Sequence, residues 1–321
     1  MPEQLPPFTQ RTAGPVVAVG ECMVELARGG DGRFGLAYGG DTFNTAVYLA
    51  RAGIPVAYAT ALGDDPYSGG ILDVARNETI DTALMTMLPG RMPGLYMIET
   101  TAEGERSFWY WRDRAAAREL FESTGAAAAA AAIAASRLVY FSGVTLSLYG
   151  PRGLDVFAAA LTAARDAGAV VAMDSNYRQR GWGGDVTRAR ATFERFWRLA
   201  HVALPTFDDE QGLWGDTTPI ATADRLSRLG VAEIVVKNGA AGAFLRGPDG
   251  DSHVPCPAPV TPLDTTAAGD SFNAGYLARR LCGDAPVRAG TFAHCLAAVV
   301  IQHRGAVVPR EATEPVTRRS A

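Results

Sequence analysis

The chain has 321 residues, 48% hydrophobic and 20% charged, a composition that can bury a large core and excludes a disordered or fibrous protein. Thirty basic against thirty-four acidic residues leave a formal charge of -4, so no global basic field exists to hold nucleic acid or anionic lipid, and any anion has to be bound by a local cluster. Four cysteines without a C-x-x-C pair argue against a disulfide or zinc framework and fit a reducing, cytoplasmic setting.

Residues 1–15 lack the positive start and apolar centre of a secretory signal, and they are expected to form a flexible leader to a single domain over 16–321. Short β-branched runs at 15–20, 56–60, 137–141, 169–174, 201–204 and 233–237 each predict a buried strand. Stretches with helical spacing at 42–52, 151–167, 187–199 and 222–229 lie between them, several closed by glycine. This alternation predicts an α/β fold with a central, mostly parallel sheet covered by helices on both faces. No apolar run reaches the roughly eighteen residues that a membrane helix needs, the alanine tract at 126–135 included. Neither a membrane nor a nucleic acid is an expected partner.

The first candidate for chemistry is Gly39-Gly40-Asp-Thr-Phe-Asn44. Its paired glycines allow a ligand close to the backbone, and Asn44, one turn into the following helix, can both donate and accept hydrogen bonds. Taken alone, the segment is also an ordinary turn before a helix. Residues 95–100 and 107–112 then read as two strands joined by a glycine-containing turn at 101–106. Period two puts Phe108, Tyr110 and Arg112 on one face and Trp109 and Trp111 on the other. With a short excursion over 23–38, the segment 92–113 is expected to form a small β lid, whose tryptophan face is a candidate homo-oligomer surface. Arg112 on this lid and Arg178 just past the 169–174 strand are cations suited to a carboxylate, although each alone also reads as a solvated surface charge.

Toward the C-terminus, Leu263-Asp-Thr-Thr-Ala-Ala-Gly-Asp-Ser-Phe-Asn-Ala-Gly-Tyr276 runs small residues straight into an apolar-periodic helix. Consecutive N–H groups at Ala267, Ala268 and Gly269 would make an anion hole there. Asp270, at its mouth, is placed to take the proton of an attacking hydroxyl as a phosphoryl group is received. An Asp before a helix is also a common N-cap. No G-x-x-x-x-G-K-[ST] string occurs, which excludes a P-loop enzyme. His201, His253, His294 and His303 show no metal-ligand spacing.

These strings together resemble the ribokinase-like (PfkB) carbohydrate kinases. The family's D-T-x-G-A-G-D signature falls on residues 264–270, with Ala267 in place of the first glycine. The likeness is densest with the 2-keto-3-deoxygluconate kinase branch. It runs through Gly20-Glu-Cys-Met-Val-Glu25, Phe108-Trp-Tyr-Trp-Arg112, Asp174-Ser-Asn-Tyr-Arg178, Leu204-Pro-Thr-Phe-Asp-Asp-Glu210, Val236-Lys-Asn-Gly239 and His303-Arg-Gly-Ala306. The resemblance implies a ribokinase-like fold and an ATP- and Mg2+-dependent kinase that phosphorylates this small sugar acid at its 6-hydroxyl, with Asp270 as general base. It also implies that Gly39, Gly40, Asn44, Tyr96, Tyr110, Arg112 and Arg178 contact the sugar acid, and that Asn176, Lys237 and Gly239 border the nucleotide. The family's N-x-x-E metal motif falls on Thr206-Phe-Asp-Asp209, which leaves Asp209 as the carboxylate, while Asp264 matches an aspartate beside a monovalent cation such as K+. On the sequence alone two alternatives remain: a kinase of a neutral sugar such as fructose or ribose, and a non-catalytic sugar or nucleotide sensor on the same fold.

Overall fold

Strands that are covered on both faces have no solvent side, so they read as unbroken apolar strings. That is the pattern of Val16–Val19, Val56–Leu62, Leu138–Ser142 and Val170–Asp174, in which every residue is buried. The computed structural model describes residues 7–8, 13–29, 31–100 and 106–317. Its strands are β1 Val16–Val19, β2 Met23–Arg28, β3 Phe34–Gly39, β4 Val56–Leu62, β5 Met85–Met87, β6 Leu95–Thr100, β7 Arg106–Trp111, β8 Leu138–Ser142, β9 Val170–Asp174, β10 Val202–Ala203, β11 Glu233–Lys237, β12 Ala243–Gly247 and β13 Gly250–Val254. Its helices are α1 Asp41–Arg51, α2 Pro66–Asn77, α3 Ala126–Ala135, α4 Gly143–Leu148, α5 Pro151–Asp166, α6 Val186–Trp197, α7 Phe207–Trp214, α8 Pro219–Arg228, α9 Ala268–Leu281, α10 Pro286–Val300 and α11 Arg310–Thr317.

Nine strands make the main sheet, in the order β13-β12-β11-β10-β9-β8-β1-β4-β5. The run from β11 to β5 is parallel, and β12 and β13 add an antiparallel edge. Alternate side chains of β1 enter two separate cores. Val16 and Ala18 pack with Tyr276 and Leu277 of α9, whereas Val17 and Val19 join the core of Phe157 from α5 and Phe193 from α6. The expected α/β architecture, a mostly parallel sheet between two helical layers, is therefore the observed one. The sequence reading missed β5, β12 and β13, because β5 is only three residues long and glycine, charged and polar residues interrupt β12 and β13, so none carries the continuous apolar signature of the buried strands.

A second sheet, β3-β2-β6-β7, stands apart from the first. Strands β6 and β7 pair antiparallel, Tyr96 opposite Tyr110, and β2 lies parallel to β6 with Glu25 opposite Tyr96. The expected turn between the two lid strands falls largely on 101–105, outside the described residues. Trp109 and Trp111 are exposed. Most of the expected leader also lies outside the described residues, but Phe8 packs against the core with the Arg280 guanidinium 4.7 Å from its ring centroid. No helix among the described residues is long and apolar enough to cross a membrane.

Local sequence explains the helix ends. Asp65 and Asp185 accept hydrogen bonds from the first-turn amides of α2 and α6, and Pro66 occupies the first helical position. Helix α1 ends at Ala52 and Gly53, the latter at φ +80°. The far end of the chain returns to this helix: the Tyr48 hydroxyl donates to Ala306 O at 2.6 Å and accepts from Val308 N at 3.2 Å.

One buried ion pair fixes the register of α9 against β11. The Arg280 guanidinium grips Glu233 with both arms, at 2.9 and 2.7 Å, and the Tyr276 hydroxyl donates to the same carboxylate at 2.7 Å. Removing one partner of such a pair strands the other in a medium that cannot solvate it. Glu233→Ala is therefore expected to lose about 3 to 5 kcal/mol of stability, read as a lower urea midpoint.

Candidate active site

Open α/β sheets bind ligands beyond the carboxyl ends of their parallel strands, and a cavity of about 870 Å3 lies there, roofed by the second sheet. Gly40, Asp41 and Asn44 reach it from the start of α1. Asp174, Asn176 and Arg178 come from the end of β9, Asp208 and Asp209 from α7, and Gly269 and Asp270 from the start of α9. From the lid come Tyr96, Tyr110 and Arg112. Gly40 is required by space, since a Cβ there would fall 2.0 Å from Glu21 O.

The start of α9 is bare of side-chain caps. Its N-cap is Ala267, and Asp270 is the third helical residue, so the N-cap reading of Asp270 does not hold. Helix geometry leaves the Gly269 and Asp270 amides without an intrahelical acceptor, available to an anion. The Asp270 carboxylate instead accepts from Asn44 Nδ2 at 2.8 Å, while Asn44 Oδ1 accepts from Gly40 N at 3.4 Å. Thr45 Oγ1 adds a bond to Asp270 O at 3.2 Å, so the first turns of α1 and α9 hold each other.

Asp270 is 8% exposed. Burial pushes its carboxyl well above the usual range, the charges of Asp41 and Asp174 push the same way, and Asn44 and Lys237 oppose them. Such a group is a stronger base than an ordinary carboxylate once deprotonated.

The residues expected at the nucleotide side divide. Asn176 lines the cavity at φ +30° and donates to Asp41 Oδ2 at 2.6 Å. Lys237 is buried beneath α9, donating to Asp174 Oδ2 at 3.0 Å and Asn273 Oδ1 at 2.9 Å. Its ammonium lies 3.5 Å from where a Cβ on Gly269 would sit, beside the first turn of α9. Gly239 follows β11, and neither it, Gly39, Ala267 nor Ala268 lines the cavity.

On the lid side, Tyr96 donates to Glu25, and the Tyr96 and Tyr110 rings stand 5.9 Å apart. Arg112 pairs with buried Glu21, and Arg178 donates to Asp209 Oδ1 at 3.0 Å. Arg180 ties the β9 loop to the lid by donating to Phe108 O at 3.2 Å. Sequence reasoning assigned no role to Glu21, Glu25, Asp41, Asp174 or Arg180. The two glutamates stood in plain view in Gly20-Glu-Cys-Met-Val-Glu25, but nothing in the string reveals that both are buried.

No group of three His, Cys, Asp or Glu side chains among the described residues could hold a metal unaided. The cavity does offer single carboxylates, Asp208 and Asp209, and this fits Mg2+ brought in on phosphates and met by one or two carboxylates and water. Asp264 is hydrogen-bonded within the fold: its Oδ1 accepts from Thr266 N and Oγ1 at 2.9 and 2.6 Å, and its Oδ2 accepts from Gly305 N at 2.8 Å.

Residues 14–313 match the pfkB family of carbohydrate kinases. The 2-dehydro-3-deoxygluconokinase of Escherichia coli strain K12 is 41% identical over 306 residues, 92% of this chain and 98% of its own. That of Dickeya dadantii is 39% identical over 92% and 97%. Among solved structures, a putative ribokinase II from E. coli in complex with ATP and Mg2+ superposes with a TM-score of 0.82 at 22% identity, covering 96% of this chain and all of that one. The 2-dehydro-3-deoxygluconokinase of Thermotoga maritima gives 0.81 at 21%, covering 95% and 100%. At these identities the two structures carry the fold alone.

The raised pKa of Asp270 has a thermodynamic sign. Its contribution to stability is complete below the unfolded carboxyl value, about pH 4, and is lost as the pH rises through the folded value. Asp270→Asn keeps the shape and removes the buried charge. It is expected to melt a few degrees above the wild type at about pH 8, with the gap closing toward about pH 4, as followed by thermal melts across that range.

Proposed function

Because the chain belongs to the pfkB family of carbohydrate kinases, matched over residues 14–313, we propose that it transfers a phosphoryl group from ATP to the 6-hydroxyl of 2-keto-3-deoxygluconate. Relatives of that activity, 34 to 41% identical over 92% of this chain, support the reading. The observation that carries it in this molecule is the buried Asp270 carboxylate beside the free amides at the start of α9.

In this reaction Asp270 accepts the proton of the sugar's terminal hydroxyl while the Gly269 and Asp270 amides hold the oxygens of the phosphoryl group in transit. Lys237, beside the same turn, adds positive charge where negative charge accumulates. Asn44 orients the base and Asn176 reaches toward the phosphates. When bound, Mg2+ would neutralise phosphate charge, with Asp209 as its protein carboxylate.

The far end of the substrate is a carboxylate, and the cavity meets it with Arg112 and Arg178. Arg178 is paired with Asp209, but its side chain is 56% exposed. Arg178 can therefore turn toward a ligand carboxylate, which leaves the less exposed Asp209 side chain, at 18%, in need of another cation such as Mg2+. Tyr96 and Tyr110 cover the sugar, and closure of the lid over the cavity excludes water from the phosphoryl group.

Asp270→Ala is expected to lower kcat about 10²- to 10⁴-fold, and near-wild-type turnover in a coupled ATP-consumption assay would refute the base assignment. Since the proton-free form is the active one, wild-type kcat/KM should rise with pH through the elevated pKa of Asp270. A profile already flat from about pH 4 upward would contradict this, because an ordinary carboxyl titrates there. Arg112→Ala and Arg178→Ala are expected to raise the sugar-acid KM about 10- to 100-fold with a smaller change in kcat. An unaltered KM in both would exclude the carboxylate contact.

A further inference from the structure

Glu21 is a charged side chain that the reaction above does not use, yet it is 2% exposed beside the cavity. It follows β1 in the turn to β2, with Gly40 and Gly94 packed against it. A Cβ on Gly94 would fall 2.6 Å from Glu21 Oε1, and a Cβ on Gly40 would fall 2.0 Å from its backbone oxygen. The carboxylate therefore occupies space that a side chain on Gly94 would fill, and the close approach of Gly40 fixes the backbone that carries it. Arg112 Nη2 lies 2.5 Å from Glu21 Oε2 in a close ion pair that is off the angle of a well-aligned hydrogen bond, and Oε1 has no hydrogen-bond partner among the described residues. Burial raises the carboxyl's pKa in spite of Arg112 and, more weakly, Arg118. An incompletely satisfied buried acid costs stability, and such arrangements persist where they set the geometry of a neighbour.

That neighbour is the lid arginine. Arg112 comes just after β7, on a sheet joined to the main one by loops, and its long side chain has many rotamers. A fixed acid behind it selects one of them. Glu21 grips one side of the guanidinium, and the remaining N–H groups are left for a ligand in the cavity. The Glu21 side chain is only 1% exposed, so it acts on a ligand through Arg112 and not by contact. We propose that Glu21 is a positioning residue for substrate choice: it holds Arg112 in the rotamer that receives the carboxylate of a sugar acid. This rests on the sugar-acid reading of the cavity. Preorganisation of this kind shows in substrate affinity and leaves the phosphoryl-transfer step alone.

The test measures kcat and both KM values for Glu21→Gln, Glu21→Asp, Arg112→Ala and the double variant Glu21→Gln/Arg112→Ala, with 2-keto-3-deoxygluconate and ATP. Glu21→Gln is expected to raise the sugar-acid KM about tenfold, the loss of one oriented charged contact, with kcat and the ATP KM within about twofold. In the Arg112→Ala background the same substitution should change nothing further, because its effect passes through that guanidinium. Glu21→Asp, which keeps the charge but withdraws it from Arg112, should fall between wild type and Glu21→Gln, and it serves as the readout if the glutamine variant does not fold. An unchanged KM in Glu21→Gln or in Glu21→Asp, or an equal loss with and without Arg112, would overturn the proposal. Wild-type protein that turns over no sugar acid would instead sink the functional reading beneath it, so the two failures are told apart.

Discussion

The site depends on one hydrogen bond between two helix starts. Asn44 and Asp270 are 226 residues apart in sequence and meet at 2.8 Å in a buried position. An amide is the partner that this carboxylate needs. A cation in its place would hold the group ionised but make it a weak base, and an apolar neighbour would leave it protonated. The amide orients the acid without neutralising it. For that to work Asn44 must have its own orientation fixed, which Gly40 N does by donating to its oxygen, and Gly40 must approach the Glu21 backbone closer than any Cβ allows.

Around this contact, charge is sorted by depth. The free amides of α9 and the ammonium of Lys237 make a positive floor. Burial, and with it the charges of Asp41 and Asp174, keeps Asp270 basic. Three ligand-facing groups have an acid behind them: Glu21 for Arg112 and Glu25 for Tyr96 on the lid, and Asp209 for Arg178 past β9. This layering gives those side chains a preferred orientation before a ligand arrives, so less ordering remains to be done on binding.

The parallel sheet was legible because buried strands are apolar throughout, and the two loop-to-helix junctions were legible because small residues before an apolar helix are rare enough to notice. The small-residue turn at Asp270 was legible in the string, but the string alone also read as an N-cap; the family resemblance favoured a base beside free amides, and the structure makes Asp270 the third helical residue. What lay hidden was the partnership of acids and bases. Nothing in the sequence shows that Lys237 turns beneath α9 toward Asp174, or that Glu21 lies next to Arg112, because pairs so far apart in the chain meet only when the topology brings them together. Strands β12 and β13 were invisible for a different reason: Arg246, Gly247, Gly250, Asp251, Ser252 and His253 break the continuous apolar run that marks a buried strand.

The bonds from Tyr48 to Ala306 and Val308 also constrain when the site can exist. Helix α1 carries Asn44, but two of the backbone groups that hold it lie 258 and 260 residues further along the chain than Tyr48. Synthesis runs at about 5 to 20 residues per second, so this helix is made well before the groups that seat it. Contacts so far apart in sequence are slow to form, so the seating of Asn44 comes late in folding.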